Sequence, residues 1–121
     1  MARILFVDDD PYTLLTLTKA TEVLGHEAVV ASNSQEALVL VAEQPPDLIF
    51  TDMRLSNMEG TTLIRLVKEQ ENNADIPIFV LSASPNENAV KRAEEAGAVA
   101  YLDKPLRMQT LLDIIEEYTS G

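Results

Sequence analysis

The chain alternates short apolar runs with longer stretches in which apolar residues recur at helical spacing. The runs span residues 4–7, 28–31, 48–50, 76–81 and 98–102. Each run is too short for a helix and contains residues that favour β-structure. None alternates apolar with polar residues as a half-exposed antiparallel strand does. The pattern therefore predicts five strands of a parallel sheet that is covered on both faces.

Capping signals predict a helix after each of the first two strands. Asp10 and Pro11 suit the N-cap and N1 positions of the first helix, and Gly25 can adopt the left-handed conformation that ends it. Asn33, with Glu36 three positions later, resembles a capping box at the start of the second helix. Each helix is expected to bury one face.

Three further helices are predicted along the rest of the chain. Gly60 precedes the third, Ser84 and Pro85 supply the cap and first turn of the fourth, and Gly97 ends it. Apolar residues within 111–115 mark the fifth. This (βα)5 order requires right-handed crossovers, which place helices on both faces of one sheet. The chain is therefore predicted to form a doubly wound α/β sandwich.

Polar residues stand at the carboxyl ends of the predicted strands, where open α/β sheets place their sites. They are Asp8, Asp9 and Asp10 after the first strand, Asp52 after the third, Ser82 at the fourth, and Asp103 and Lys104 after the fifth. Two carboxylates about 5 Å apart repel by about 3 kcal/mol at an effective dielectric constant of 20, so a cation is expected among them. Oxygen ligands beside a place for a phosphoryl group favour Mg²⁺. Asp10 is more simply a helix cap.

The amino-acid composition excludes several classes of function. The 121 residues fit a single domain, residues 1–121. The absence of cysteine excludes disulfides, thiolate catalysis and Cys-ligated metals. The net charge of −11 repels nucleic-acid phosphates, so no direct nucleic-acid binding is expected. No apolar run approaches 18 residues and no signal peptide is evident, so a soluble cytoplasmic protein without membrane contact is expected.

Four segments in order carry a resemblance that covers essentially the whole chain: ILFVDDD, PDLIFTDMRLSNMEG, IPIFVLSAS and GAVAYLDKPL. With these segments the chain resembles the receiver domain of two-component response regulators. The resemblance implies a flavodoxin-like sheet of strand order 2-1-3-4-5 and no output domain in this chain. It also implies a phosphorylation-dependent signalling switch that catalyses only its own phosphorylation and dephosphorylation.

The resemblance assigns a role to each residue at the strand ends. Asp52 is the phosphoacceptor, Lys104 and Ser82 face the phosphoryl group, Ser82 and Tyr101 form the switch, and the ligands of Mg²⁺ are Asp8, Asp9, Asp52 and the backbone carbonyl of Arg54. Phosphorylation is expected to repack the face of the fourth helix, fifth strand and fifth helix. The expected partners are a sensor histidine kinase or phosphotransfer protein, and a downstream protein or lost output domain on that face. Whether the chain forms a homodimer is left open.

Two positions depart from the pattern of the family. Ser56 stands where receivers often have proline, which leaves the loop after the third strand without a fixed φ angle. Serine at position 82 replaces the commoner threonine and keeps the hydroxyl. Phosphorylation and the switch are both expected to survive these changes.

Other functions of the same fold require other residues after the first strand. An FMN-binding flavodoxin needs a hydroxyl- and glycine-rich phosphate loop there, where this chain has three acids. A phosphatase of the haloacid dehalogenase type needs an Asp-x-Asp-x-Thr motif, which this chain lacks. The alternative that stays open is a protein-interaction receiver whose phosphorylation is vestigial.

Overall fold

The computed structural model describes residues 1–55, 58–70, 73–83 and 86–119. The strands in this part are β1 (Arg3–Val7), β2 (Glu27–Ala31), β3 (Leu48–Asp52), β4 (Ile78–Ser82) and β5 (Ala100–Asp103). The helices in this part are α1 (Pro11–Val23), α2 (Ser34–Glu43), α3 (Gly60–Glu69), α4 (Glu87–Ala96) and α5 (Met108–Thr119). The strands are parallel and lie in the order β2-β1-β3-β4-β5, which confirms the predicted architecture. No described helix has the length and apolar character needed to span a membrane.

Alternate side chains of each inner strand enter two separate cores. On β1, Leu5 and Val7 pack beneath α2, α3 and α4, whereas Ile4 and Phe6 pack beneath α1 and α5. All four side chains are at most 1% exposed. Because both faces of the sheet are buried, the apolar runs show no alternation with polar residues.

A row of aromatic rings crosses the core beneath α1 and α5. The ring of Phe50 stacks on Phe6 at a centroid distance of 5.4 Å and on Phe79 at 5.1 Å. Tyr118 meets Phe79 edge-on at 5.3 Å. Offset stacking and edge-to-face contacts are the favoured arrangements of aromatic pairs, so the row fixes α5 against β1, β3 and β4.

The predicted caps of the first two helices are confirmed. The side chain of Asp10 accepts from the backbone N–H two residues on at 3.2 Å, and that of Asn33 accepts from the N–H three residues on at 2.9 Å. Gly25 follows α1 with a φ of +87°, and Gly97 follows α4 with a φ of +118°. Gly25 thus takes the predicted left-handed conformation, and Gly97 ends the fourth helix as predicted, also in a left-handed conformation.

The predicted start of the fourth strand is wrong by two residues. β4 begins at Ile78 rather than at Ile76. Pro77 has no N–H to donate to a neighbouring strand. The carbonyl of Ile76 accepts from the ammonium of Lys68 at 2.7 Å. The apolar run therefore begins before the hydrogen-bonded strand does.

The start of the fifth strand and the N-cap of the fourth helix also differ from their predictions. The fifth strand begins two residues late, because the N–H of Ala98 donates to the carbonyl of Ala93 at 3.0 Å and so belongs to the end of α4. The N-cap of α4 is Asn86 rather than Ser84, since the Asn86 side chain accepts from a backbone N–H three residues on at 2.9 Å. Residues 84 and 85 lie outside the described part of the chain.

Candidate functional site

Three carboxylates meet at the carboxyl ends of β1 and β3. Asp8 follows β1, and Asp52 is the last residue of β3. The register of Val7 with Thr51 places these two acids side by side on neighbouring strands. One carboxylate oxygen from each of Asp8, Asp9 and Asp52 lies within 4.8 Å of the others. Asp8 is only 2% exposed, whereas Asp9 is open to solvent.

Lys104 brings a positive charge to these acids from the end of β5. Its Nζ atom lies 2.6 Å from Oδ2 of Asp8 and 3.3 Å from Oδ2 of Asp52. Its backbone N–H donates to the carbonyl of Ser82 at 2.9 Å, and its peptide bond to Pro105 is cis. One ammonium therefore bridges two of the three carboxylates and leaves the group with negative charge in excess.

The surroundings of Asp52 and Lys104 shift the pKa values of both side chains upward. Burial raises the pKa of the Asp52 carboxyl above its ordinary 3.8; the Lys104 charge opposes this rise, and the Asp8 charge adds to it. Burial alone would lower the pKa of Lys104, but the hydrogen bond to Asp8 and the charges of Asp52 and Asp8 raise it above 10.5. The site thus keeps its lysine charged and resists the ionisation of Asp52, so a further cation would stabilise it.

Described residues on both sides of the loop after β3 lie close to Asp52. The backbone N–H of Arg54 points to Oδ1 of Asp52 at 3.5 Å, and the N–H of Gly60 donates to the carbonyl of Met53 at 2.7 Å. A Cβ atom at position 60 would collide with the backbone carbonyl oxygen of Asp52. Sequence reasoning treats Gly60 only as the residue before a helix and misses this requirement. Ser56 lies outside the described residues.

The two residues proposed as a switch lie on neighbouring strands. Ser82 ends β4 and is partly exposed, one strand away from Asp52. Tyr101 lies in β5 in register with Val80 and packs, half-buried, against the core beneath α4. Asp103 is exposed at the end of β5. Because β4 and β5 are neighbours, a movement of Ser82 can be passed to Tyr101 across a single pair of strands.

The donor set fits a small divalent cation. One oxygen from each of the three carboxylates lies within 4.8 Å of the others, so a single cation between them could contact all three residues. The donors are all oxygens, as Mg²⁺ prefers. Asp9 is exposed, so an ion can reach the group from solvent.

Comparison with known proteins gives the family of this fold and site. The family described as response regulator receiver domain matches residues 4–116, and the chain belongs to it. The chain is 30% identical to protein PilH of Pseudomonas aeruginosa over 121 residues, which is the full length of both. It is 35% identical to the phosphate regulon transcriptional regulatory protein PhoB of the same species over 90% of this chain, but covers only 48% of PhoB.

A solved structure supports the same assignment. The receiver domain of the sensor histidine kinase PA1611 from Pseudomonas aeruginosa superposes with a TM-score of 0.90 at 26% identity, over 99% of this chain and 98% of that one. That structure holds a magnesium ion in its active site cleft. Receiver domains are signalling switches rather than metabolic enzymes, and they interact with histidine kinases and output domains.

Proposed function

We propose that this chain is a phosphorylation-dependent switch and that Asp52 is its phosphoacceptor. The observation that supports this best is the meeting of three carboxylates within 4.8 Å, with the Lys104 ammonium 3.3 Å from Asp52. A carboxylate nucleophile beside a fixed cation and a set of metal donors provides what a phosphoryl group needs, namely positioning and charge neutralisation.

In the proposed reaction, an oxygen of Asp52 attacks the phosphorus of a phosphohistidine. The P–N bond breaks, the P–O bond of an acyl phosphate forms, and the imidazole leaves. The transition state is loose, so the weak nucleophilicity of a carboxylate suffices. Lys104 and Ser82 would hold phosphoryl oxygens. Mg²⁺, when bound, would neutralise the remaining negative charge; its proposed ligands are Asp8, Asp9, Asp52 and the backbone carbonyl of Arg54.

The proposed switch runs from Ser82 to Tyr101. The charge on phosphorylated Asp52 would attract the Ser82 hydroxyl, and Tyr101 would turn inward into the space that this movement leaves. Tyr101 already packs against the core beneath α4, so its movement would change the face of α4, β5 and α5. A downstream protein or an output domain would read that face, and homodimerisation through it is a further option.

The proposed phosphodonor is a sensor histidine kinase or a phosphotransfer protein in the cytoplasm. A groove of about 410 Å³ opens beside Lys104, between α1 and the segment after β5. Its lining includes Leu17 and Leu106, and Tyr12, which is 76% exposed. Apolar side chains beside a charged site suit a protein donor, because they supply contact area that the phosphoryl group itself lacks.

Phosphorylation by a small donor tests this function. The chain is incubated with phosphoramidate and Mg²⁺ and examined by mass spectrometry. We expect one phosphoryl group on Asp52, none on the Asp52→Asn variant, and none with EDTA. Asp113→Asn, a matched change on the exposed face of α5, should label like the parent. Equal labelling of Asp52→Asn would contradict the assignment.

The same assay separates the switch from a vestigial receiver. We propose that residues 1–121 act as one receiver domain that catalyses only its own phosphorylation and dephosphorylation. A vestigial receiver would fold identically and remain unlabelled at high donor concentration. Labelling at Asp52 followed by spontaneous loss of the phosphoryl group is the result expected of the switch.

A further inference from the structure

An ion pair ties the loop after Asp52 to helix α4. Nη1 of Arg92, on α4, lies 3.1 Å from Oε2 and 3.4 Å from Oε1 of Glu59. Glu59 is the N-cap residue of α3, and its carboxylate also accepts from the hydroxyl of Thr61 at 3.2 Å. The pair joins residues 33 positions apart in the sequence. It therefore connects two elements that pack side by side on one face of the sheet.

Glu59 is linked to Asp52 by a short chain of backbone contacts. Arg54 and Glu59 form an antiparallel bridge across the loop. The next residue, Gly60, donates its N–H to the carbonyl of Met53 and lies directly against the carbonyl of Asp52. A movement of the backbone at Asp52 or Arg54 would therefore shift the Glu59 carboxylate.

Helix α4 is held by little apolar surface. Its buried side chains are Ala89, Ala93 and Ala96, whereas α3 and α5 bury leucine and isoleucine. A methyl group removes much less apolar area from water than the side chain of leucine does. A single polar contact can therefore bias the position of α4 more than it could bias α3 or α5.

We propose that the Glu59–Arg92 ion pair holds α4 in its resting position and couples it to the loop after Asp52. The pair acts beside the Ser82 and Tyr101 route and does not depend on it. The coupling to the loop rests on the function proposed above. The stabilisation of α4 in the unphosphorylated chain, called the resting hold below, does not. Both carboxylate and guanidinium are about half exposed, so the bias is modest and sensitive to salt.

Amide hydrogen exchange of the unphosphorylated chain tests the resting hold. Arg92→Gln and Glu59→Gln should each speed exchange across α4 by roughly 1.4- to 5-fold, the effect typical of an exposed ion pair. The double variant should exchange no faster than the quicker single variant. Lys91→Gln is the matched control, because Lys91 is an exposed neighbour on α4 that forms no ion pair with the described residues.

Several results would overturn the resting hold. It is wrong if Arg92→Gln exchanges like Lys91→Gln, or if the two single effects add in the double variant. Salt at about 1 M should raise exchange in the parent and leave Arg92→Gln almost unchanged. Equal sensitivity of both to salt would also count against the pair.

Exchange after treatment with phosphoramidate and Mg²⁺ tests the coupling. The parent should gain exchange in α4, and Arg92→Gln should gain less, because its α4 is already released. A full gain in Arg92→Gln would overturn the coupling. If the parent is not labelled at Asp52, the proposed function and the coupling fail together, while the resting measurement still decides whether the pair holds α4.

Discussion

At the scale of single residues, Asp52 occupies a position that opposes its own ionisation. Burial raises its pKa, and the neighbouring Asp8 charge adds to the effect despite the ammonium of Lys104. A carboxyl whose pKa is higher in the folded state binds protons more strongly there than in the unfolded chain. Stability contributed through this group therefore falls as the pH rises above 3.8 through the raised pKa.

Replacing Asp52 by asparagine should change how the stability of the fold depends on pH. Without metal, Asp52→Asn should raise the melting temperature by a few degrees at neutral pH, because it removes the unfavourable charge. Below the ordinary pKa of an aspartate, Asp52 is protonated in both states and the gain should vanish. Thermal unfolding followed by circular dichroism between about pH 3 and pH 8 measures this difference.

The exposed Asp113 again supplies the control for that experiment. Asp113→Asn should change the melting temperature by much less than Asp52→Asn at neutral pH. A melting temperature of Asp52→Asn below that of the parent at neutral pH would show that the ion pair with Lys104 outweighs burial, and the prediction would then be wrong.

Some residues of the site could be predicted from their positions in the sequence, and others could not. Asp8, Asp52 and Lys104 follow apolar runs directly, and parallel strands end at one edge, so their meeting could be expected. The requirement for glycine at position 60 could not be predicted from the sequence. It arises from the path of the loop in space, which brings position 60 against the Asp52 carbonyl. Composition and periodicity carry no information about that approach.

Among the elements, the start of α3 requires glycine at position 60 because it lies against the backbone at the end of β3. Gly60→Ala should destabilise the fold by about 1–3 kcal/mol, because the new methyl group must displace backbone. The displaced carbonyl belongs to Asp52, so phosphorylation should also slow by roughly tenfold or more. Urea unfolding and the initial rate with phosphoramidate give the two values.

Gly25→Ala separates the loss of stability from the loss of activity. Gly25 has a φ of +87° but open space around it, so alanine there should cost about 1–2 kcal/mol through backbone strain alone. Gly25 lies after α1, at the opposite end of the sheet from Asp52. The Gly25→Ala variant should therefore be phosphorylated at the parental rate. A Gly60→Ala variant that reacts at the parental rate would show that the loop tolerates the methyl group.

Element boundaries were predictable where a second residue singles out one cap. Pro11 directly follows Asp10, and Glu36 stands three residues after Asn33. Both caps are confirmed. Ser84 and Asn86 both suit the start of α4, and the sequence alone cannot rank two cap residues so close together. In the structure, Asn86 caps α4 by accepting from the N–H of Ala89, whose side chain is buried in the core.

On the scale of the whole molecule, the parallel sheet with helices on both faces was predictable because burial on both faces of a sheet leaves a strong pattern in the chain. The strand order came from the resemblance to receiver domains and is confirmed. Coupling between the site and a distant face leaves no such pattern. The residues that would carry it, Ser82 and Tyr101, were named by resemblance, and the structure adds that Tyr101 packs beneath α4. Their roles stay predictions.

The Ser82→Ala variant tests coupling across the molecule. It should still be labelled at Asp52, because the nucleophile and Lys104 are unchanged. Amide exchange or NMR shifts on phosphorylation should centre on Val90, Tyr101 and Leu111 in the parent and should shrink in Ser82→Ala. Changes centred on α1 and α2 instead would refute this route while leaving the chemistry of Asp52 intact.

The contact between Asp8 and Lys104 spans 96 positions of the sequence. A chain still being synthesised acquires Asp8, Asp9 and Asp52 early, but it lacks the cation that holds them until nearly all of the fold has been made. Unfinished or C-terminally truncated chains therefore carry the acids without the lysine. Because Lys104 follows β5, the contact can form only in a chain that has completed all five strands of the sheet.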